Sequence, residues 1–274
     1  MATKTKLPAV LKSKTPKVYK NNKLNNGSFS NFDLNDYRVF LHIVSKLGKV
    51  DDEGKYLQPE KLEREHELTA LEFASVFNVG QKHAYEIIKN ATFKLMKADI
   101  FVREIGEKST SITQINVCEK AKYIEGEGKI NILFTGSIMP YLAQEVKQKF
   151  TLYNLKEIAN FGSLHTTRLY ELIQQFKDTG YIIRSVEQLR DLFAVGSKYT
   201  LYANFKLYTF GHACDEINDK TEYNIRFKEL KEGRKVVAIE FVFERTIVEK
   251  RFRGDGTQKN TYIKPKHKEI ALDA

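Results

Sequence analysis

The stretch EQLRDLFAVGSKYTLY, residues 187–202, decides the class of fold. Its first half has the spacing of an amphipathic helix, Gly196 interrupts that pattern, and a lysine and two tyrosines follow. Such a break is either a chance loop or the turn of a helix-turn-helix, whose second helix lies on DNA. The rest of the sequence has to decide between these two interpretations.

The same pattern occurs a second time, in the first half of the chain. TALEFASVFNVGQKHAY (69–85) aligns with SVEQLRDLFAVGSKYTL (185–201) at a constant offset of 116 residues. The identical pairs are Phe77 with Phe193, Val79 with Val195, Gly80 with Gly196, and Lys82 with Lys198. A repeated helix-turn element, once in each half of the chain, indicates two related domains.

Both copies of the element carry the signals that start and stop a helix. Thr69 with Glu72, and Ser185 with Gln188, have the spacing of capping boxes, in which two orphan N–H groups are satisfied reciprocally. Each helix is predicted to end near its glycine, Gly80 or Gly196, because glycine readily adopts the left-handed conformation found just past a helix.

A longer helix is predicted after each glycine. In the first copy, residues 81–97, an apolar stripe faces inward at Ala84, Ile88, Ala91 and Leu95. The outward polar residues are Gln81, Lys82, His83, Lys89, Asn90 and Lys94. In the second copy, residues 203–220, the inner stripe is Phe205, Thr209, Ala213 and Ile217. The first turns of this second helix are expected to meet DNA, as recognition helices do.

A hairpin follows the second helix. Residues 223–230 and 235–244 alternate apolar and polar side chains, and KEGR (231–234) between them is typical of a turn. The basic residues of this ribbon are Arg226, Lys228, Lys231, Arg234 and Lys235. Helix, turn, helix and basic hairpin together predict a winged helix, with a solvated hairpin of another α+β domain as the alternative. The first half has a looser version, a hairpin within 100–118 and a turn and strand within 122–135.

The charge is concentrated at the two ends of the chain. The formal net charge is +10, yet residues 29–244 hold 30 basic and 31 acidic side chains. Residues 1–28 contain seven lysines and no acid, and residues 245–268 contain eight Lys or Arg and two acids. A polyanion is therefore the expected partner, and a nearly neutral body has to bind it through a local basic face.

Several classes of protein are excluded or disfavoured. The longest apolar runs, such as VVAIEFVF (236–243), are too short to span a bilayer, and the N-terminal stretch lacks the apolar region of a signal peptide. Two widely separated cysteines, Cys118 and Cys214, fit a reducing cytoplasm and leave a disulfide open.

No catalytic equipment is recognised. None of the six histidines has the two-apart spacing of a rolling-circle nickase, and GEGKI (126–130) lacks half of a phosphate-binding loop. His212 and Cys214 would point to different faces of a helix, and the acids at 51–53 are most simply solvated. We therefore expect no enzyme activity, no cofactor and no metal.

Longer stretches of the sequence resemble the plasmid replication initiators of the Rep superfamily, the iteron-binding RepA, RepB and RepE types. The resemblance covers roughly residues 33–245. The stretches that carry it are LTALEFASVF, AYEIIKNATFKLM and EGEGKINILFTGSIMPYL in the first half, and FTLYNLKEIANF, RLYELIQQFKDTG, VEQLRDLF, DEIN and KEGRKVVAIEF in the second. These motifs are specific in combination, although each alone is ordinary.

The resemblance implies an α+β protein with two tandem winged-helix domains and a division of labour between them. The implied division is a flexible basic segment (1–28), an N-terminal domain for dimerisation and DNA-backbone contact (29–149), a C-terminal domain for iteron recognition (150–248), and a basic tail (249–274). Leu207 and Tyr208 stand where the family commonly has arginines, and His212 stands where it commonly has proline. The bases read by the second recognition helix are therefore open.

The sequence thus predicts a plasmid replication initiator in the bacterial cytoplasm that binds repeated origin sites, helps to open the origin and represses its own gene. The implied partners are double-stranded DNA, the host replication initiator and helicase, and a second copy of the chain in a monomer–dimer equilibrium. The alternatives are a winged-helix transcriptional regulator without a replication role and, from another class, a nicking enzyme.

The predicted DNA contacts fall in both halves. Those in the first half are Gln81, Lys82, His83, Lys89, Asn90 and Lys94. Those in the second half are Lys198, Tyr199, Asn204, Lys206, Tyr208, Arg226, Lys228, Lys231, Arg234 and Lys235.

Overall fold

The computed structural model describes residues 16–47, 58–106, 109–143, 150–252 and 258–263. The acids at 51–53 lie outside these described residues. The helices are α1 (Asn22–Asn25), α2 (Leu34–Lys46), α3 (Ala70–Phe77), α4 (Gln81–Leu95), α5 (Met139–Leu142), α6 (Leu164–Gln175), α7 (Val186–Leu192), α8 (Tyr202–Lys206) and α9 (His212–Lys220). The strands are β1 (Lys17–Asn21), β2 (Glu65–Thr69), β3 (Asp99–Ile105), β4 (Thr110–Asn116), β5 (Cys118–Ile124), β6 (Lys129–Phe134), β7 (Phe150–Asn154), β8 (Tyr181–Ser185), β9 (Tyr223–Glu232), β10 (Lys235–Arg245), β11 (Ile247–Phe252) and β12 (Gln258–Ile263).

The chain divides into two compact units, and neither is contiguous in sequence. Unit 1 consists of the described residues up to Asn21, Asn35–Ala98 and Asn116–Asn160. Unit 2 consists of Asn22–Leu34, Asp99–Ile115 and the described residues from Phe161 onward. This division differs from the single boundary at residues 149–150 that the sequence suggested, because three segments lie in the other unit from the one expected.

Unit 1 contains a winged helix made of α2, β2, α3, α4, β5 and β6. Its sheet has the antiparallel order β2-β6-β5, and the hairpin between β5 and β6, here called wing 1, turns at residues 125–128. The predicted inner stripe of α4 is confirmed, since Ala84, Ile88, Ala91 and Leu95 are all buried. The burial of these and the other apolar side chains of the core is the main source of stability of the unit.

Unit 2 repeats that topology with α6, β8, α7, the α8–α9 helix, β9 and β10. Its sheet order, β8-β10-β9, is the order of the first sheet. The hairpin of β9 and β10, here called wing 2, turns between Glu232 and Lys235. The inner stripe is again as predicted, with Phe205, Thr209, Ala213 and Ile217 completely buried. The prediction of two tandem winged-helix domains is confirmed.

The N-terminal segment requires a correction. Residues 1–28 were expected to form a flexible arm, but β1 pairs antiparallel with β7 from Lys17 onward. The side chain of Lys20 is buried, and its Nζ donates to Tyr37 Oη at 2.7 Å. A strand in a sheet and a buried ammonium are ordered features, so the described part of this segment belongs to the fold. At the other end, part of the expected basic tail forms the β11–β12 hairpin.

Two segments distant in sequence are held in unit 2 by arginines. The buried Arg168 of α6 donates from Nη2 to the carbonyl oxygens of Asn25 and Gly27, at 2.6 and 2.8 Å. Arg103 of β3 forms an ion pair with Asp191 of α7, at 2.9 Å between Nε and Oδ2. These contacts explain why α1 and the β3–β4 hairpin belong to unit 2, although the sequence places that hairpin in the first half.

The predicted helix starts are confirmed and the predicted stops are confirmed in part. Both capping boxes are present, at Thr69 with Glu72 and at Ser185 with Gln188. The left-handed residue after α3 is Asn78 (φ 52°), not Gly80, which has a φ of −61° and precedes α4. Asparagine tolerates this conformation because its short side chain can form local hydrogen bonds.

Candidate nucleic-acid interface

The turn of the helix-turn-helix in unit 2 is long and is held by one arginine. Helix α7 ends at Leu192 and α8 begins at Tyr202, so Lys198 and Tyr199 lie in the turn and not on a helix. Arg190 donates to three carbonyl oxygens of this turn, those of Gly196, Lys198 and Tyr199, at 2.8, 2.6 and 3.1 Å. Its guanidinium also lies 5.1 Å from the ring centroid of Phe205. Arg190 therefore fixes the turn against the recognition helix.

The conformation of the turn places one tyrosine against another. Ala194, Gly196 and Tyr199 all have positive φ angles, of 51°, 52° and 56°. Side chains other than glycine rarely adopt this conformation, so the hydrogen bonds from Arg190 compensate a local cost. The ring of Tyr199 stacks on that of Tyr208, with centroids 5.6 Å apart and an interplanar angle of 24°. Two predicted DNA-contacting residues, the half-buried Tyr199 and the exposed Tyr208, thus form one aromatic stack.

The recognition helix of unit 2 runs from Tyr202 to Lys220 and contains a π-helical stretch at Leu207–Gly211. A side chain at Gly211 would place its Cβ 2.8 Å from the carbonyl oxygen of Lys206, so the wider turn requires glycine there. His165 Nδ1 donates to the carbonyl oxygen of Tyr208 at 3.1 Å. Stretches of this kind are frequent at functional sites, because they alter which side chains share a face of the helix.

Lys206 is tied to wing 2 and does not project freely. Its Nζ lies 2.9 Å from Glu229 Oε1 and 5.4 Å from the ring centroid of Phe227, both on β9. Tyr202 Oη donates to the same carboxylate at 3.0 Å. The hydrogen bond from Lys206, more than any other contact, lowers the pKa of Glu229. Glu229 therefore links the recognition helix to the wing.

Wing 2 presents a basic tip to solvent. Lys231, Arg234 and Lys235 are exposed, and Glu232 is the acid among them. Lys228 is also exposed, and Arg226 lies 3.8 Å from Glu244. Exposed cations on a projecting hairpin suit contacts to phosphate oxygens, which set the affinity and the orientation of a protein on DNA.

In unit 1 the basic surface lies on the recognition helix. Gln81, Lys82, His83, Asn90 and Lys94 of α4 are exposed, whereas Lys89 is half-buried with its Nζ 5.7 Å from the Tyr123 ring centroid. Lys94 Nζ is 3.2 Å from Asp36 Oδ2. Its charge is therefore partly neutralised within the unit.

Wing 1 is acidic at its tip. Glu125 and Glu127 are exposed at the turn, and Lys129 Nζ lies 2.7 Å from Glu127 and 3.2 Å from Glu67. These carboxylates would repel phosphates. The tip of wing 1 is therefore poorly suited to phosphate contacts, unlike the tip of wing 2.

The structure brings the predicted residues of unit 2 together on one turn, one helix and one hairpin, and those of unit 1 on α4. Sequence reasoning missed four residues that shape the site: Arg190, Glu229, His165 and Gly211. One signal was available, because Arg190 aligns with Ala74 in the internal repeat. An arginine that replaces an alanine beside a turn indicates that its side chain contacts the backbone of that turn.

The chemistry of the remaining titratable groups is that of a protein interior. Both cysteines are buried and free, and burial raises the pKa of Cys118 to about 11 and that of Cys214 to about 12. Within the described ranges, no three His, Cys, Asp or Glu side chains are grouped to hold a metal ion. None of the helices described has the length and apolar character needed to cross a bilayer.

Comparisons with known proteins agree with this architecture. A replication initiation protein of Escherichia coli is 24% identical over 234 residues, 83% of this chain and 69% of its own length. The PI protein of Escherichia coli is 32% identical over 158 residues, 52% of this chain and 51% of its own length, so this chain spans only about half of that relative.

A solved structure has the same fold. The crystal structure of the Pi initiator protein in complex with iteron DNA matches with a TM-score of 0.69 at 24% identity, over 84% of this chain and 98% of that chain. The model of the initiator replication protein family matches its first winged helix to residues 17–174, and the model of the second winged helix matches residues 185–243. The chain therefore belongs to the initiator replication protein family, as its motifs predicted.

Proposed function

We propose that this protein initiates replication of a plasmid by binding repeated double-stranded sites, the iterons, at its origin. The observation that carries the proposal is the pair of winged helices with one sheet order, each with its recognition helix exposed. Membership of the initiator family supports the role in replication, and the Pi protein in the matched structure is bound to iteron DNA.

The arrangement of side chains supports a division of tasks on the duplex. In unit 2 the tip of wing 2, with Lys231, Arg234 and Lys235, contacts phosphates while Asn204 and Tyr208 reach base edges in the major groove. In unit 1 the polar face of α4 contacts the backbone through Lys82 and Lys89. Affinity then depends steeply on salt, and sequence preference comes mainly from unit 2.

The protein acts with partners and without catalysis. The bound protein helps to open the origin, recruits the host initiator and helicase in the bacterial cytoplasm, and as a dimer represses its own gene. It does so by binding alone, without cutting DNA. Membership of the initiator family supports the role in replication, and the partners and the self-repression are part of the proposal. Sedimentation of the protein with and without duplex tests the monomer–dimer equilibrium, which is expected to shift toward monomer on DNA.

A replication assay tests the proposed function directly. A plasmid whose only origin is this gene with its flanking DNA should replicate in a bacterial host, and should be lost when the codon for Phe205, a fully buried core residue, is replaced by a stop codon. If the plasmid is not maintained although the protein binds and represses the flanking DNA, the protein is a transcriptional regulator instead.

Binding measurements test the assigned contacts. Arg234→Ala should weaken binding to all duplexes about equally and reduce the slope of log K against log salt by about 1. Lys177 is an exposed lysine in the turn that follows α6. Lys177→Ala is the matched control and should leave both quantities unchanged. Equal slopes for the two variants would remove wing 2 from the interface.

A nicking assay addresses the enzyme alternative. Supercoiled origin DNA incubated with the protein and Mg²⁺ or Mn²⁺ should stay supercoiled. The appearance of relaxed circles would overturn the statement that the protein acts by binding alone.

A further inference from the structure

The outward face of the unit 2 recognition helix is uncharged and partly apolar. Leu207 is 59% exposed and Tyr208 is 54% exposed. Asn204 is exposed beside them, one turn earlier. Lys206, the cation nearest to this face in sequence, is held by Glu229. A helix that enters the major groove here presents an amide, a leucine and a phenol.

The exposure of Leu207 has no explanation within unit 2. The core side of the helix is already filled by Phe205, Thr209 and Phe210, each completely buried. The π-helical turn adds one residue at this point, so that consecutive residues Thr209 and Phe210 both face inward while Leu207 and Tyr208 both face outward. The fold therefore exposes a large aliphatic side chain to water, which is unfavourable. Burying this side chain against a partner would remove that cost.

Base-edge chemistry identifies what such a face can read. The thymine C5-methyl is the apolar group that the major groove offers, and the side chain of asparagine matches the N6 and N7 edge of adenine. Guanine is most often read by arginine or lysine, and none projects from this face. Asn204 and Leu207 are three residues apart, a rise of about 4.5 Å along a helix, which suits the same or adjacent base pairs.

We propose that this helix selects A·T pairs, with Leu207 packing against a thymine methyl group and Asn204 hydrogen-bonding to adenine. This inference rests on the proposed function, because it assumes that unit 2 enters the major groove. It adds the identity of the bases, which family membership leaves open at Leu207 and Tyr208.

Removal of single methyl groups from DNA tests the inference. The full-length protein first selects duplexes from a pool with roughly 20 randomised base pairs, about two helical turns. The selected duplex is then resynthesised with deoxyuridine in place of each thymidine in turn. One substitution should weaken binding about fourfold, the value of one buried methyl group, and the other substitutions should have smaller effects.

The variant Leu207→Ala distinguishes packing on the methyl group from an effect on DNA shape. It should bind the thymidine duplex about as weakly as the wild type binds the sensitive deoxyuridine duplex, and should lose nothing further from that substitution. Asn204→Ala should weaken binding roughly tenfold and relax one adenine position in a repeated selection. Ile183→Ala, an exposed aliphatic residue on β8, is the control and should keep the full sensitivity to deoxyuridine.

Each outcome has one meaning. Failure to enrich any duplex would overturn the proposed function and this inference with it. Enrichment of a duplex that tolerates deoxyuridine everywhere would overturn the inference alone. If deoxyuridine at the same position weakens binding equally for the wild type and for Leu207→Ala, the inference alone is also overturned, because a residue other than Leu207 would then contact the methyl group. Circular dichroism melting of each variant verifies that the fold is kept.

Discussion

The tip of wing 1 reads Glu-Gly-Glu-Gly-Lys (125–129), whereas the tip of wing 2 reads Lys-Glu-Gly-Arg-Lys (231–235). The recognition helices differ in the opposite sense. The outward face of α4 carries lysines and a histidine, whereas that of the unit 2 recognition helix (Tyr202–Lys220) carries asparagine, leucine and tyrosine in its first turns. Each unit thus has one basic element and one that is not. The comparison teaches that two copies of a fold can keep the same topology while their basic residues lie on different elements, the recognition helix in unit 1 and the wing in unit 2.

This exchange of charge fits different tasks on DNA. Cations on a helix that enters the groove contact phosphates as readily as bases and add affinity without much selection. An uncharged helix gains little from phosphates, so its contacts depend on base edges, while a basic wing supplies the affinity from outside. Unit 2 is therefore the better candidate for reading sequence, in agreement with the role that the family resemblance implies.

The first helices of the two winged helices, α2 and α6, offer the largest test of the comparison. Helix α6 buries an ion pair, Arg168 with Glu171, at 2.7 Å, whereas α2 buries the histidine His42. Arg168→Met should lower the free energy of unfolding by about 3–5 kcal/mol, because it removes the buried cation that pairs with Glu171 and donates to the carbonyl oxygens of Asn25 and Gly27. Denaturant titration measures this, and Arg168→Met/Glu171→Leu should recover only part of the loss, because the carbonyl oxygens of Asn25 and Gly27 still lose the hydrogen bonds from Arg168. A loss under about 1 kcal/mol for the single variant would contradict the assignment.

We expect low pH to destabilise unit 1 through the buried His42 of α2. Burial first, and the nearby Lys46 second, lower the pKa of His42 from 6.5 to about 4. Between these pH values the unfolded chain binds a proton that the folded chain excludes, so stability falls as pH decreases from 6.5 toward 4. The total loss should be about 3 kcal/mol. Denaturation at pH 7 and at pH 4.5 should show a smaller difference for His42→Leu than for the wild type; equal differences would assign the acid sensitivity to other groups.

Charge removal on wing 2 and on α4 compares the two basic elements. Arg234→Ala/Lys235→Ala and Lys82→Ala/Lys89→Ala should each reduce the salt slope of DNA binding by about 2 and weaken binding by about 2 kcal/mol. Both effects should be similar for specific and unrelated duplexes, because phosphates carry no sequence information. Fluorescence anisotropy over a range of salt measures them. A loss confined to the specific duplex would place base reading on the element concerned.

The link between helix and wing in unit 2 should have the smallest effect. Glu229→Gln removes the ion pair with Lys206 and should change the free energy of unfolding by less than about 1 kcal/mol, since Lys206 is 42% exposed. The released ammonium should raise the salt slope by up to about 1. An unchanged slope with wild-type stability would mean that Lys206 stays away from phosphates even when it is released.

The sequence predicts the parts of this structure that depend on local signals. Both capping boxes, both buried helix stripes and the alternation of wing 2 follow from the spacing of neighbouring residues. The pairing of β1 with β7 could not be predicted in this way, because its partners are about 130 residues apart and a lysine-rich segment is typical of a solvated arm. The place of the β3–β4 hairpin in unit 2 depends on Arg103, whose partner Asp191 is also distant in sequence.

The candidate site was predictable in its elements but not in its details. Lysines and tyrosines near a glycine indicate a DNA-contacting turn, yet nothing local shows that Arg190 reaches the carbonyl oxygens that hold it. Lys206 illustrates the same limit. Its position on the helix suggests a phosphate contact, and only the three-dimensional pairing of α8 with β9 brings Glu229 to its ammonium group.

The interleaved course of the chain has a consequence for how such a gene evolves. A fragment that stops at residue 149 would separate β1 from β7 and Arg103 from Asp191. A single recombination event between the halves would therefore damage both. Replacing one DNA-binding domain by that of another plasmid through recombination would break these contacts, whereas substitutions on a recognition helix would not. New origin preferences should therefore arise through point mutations in an intact gene.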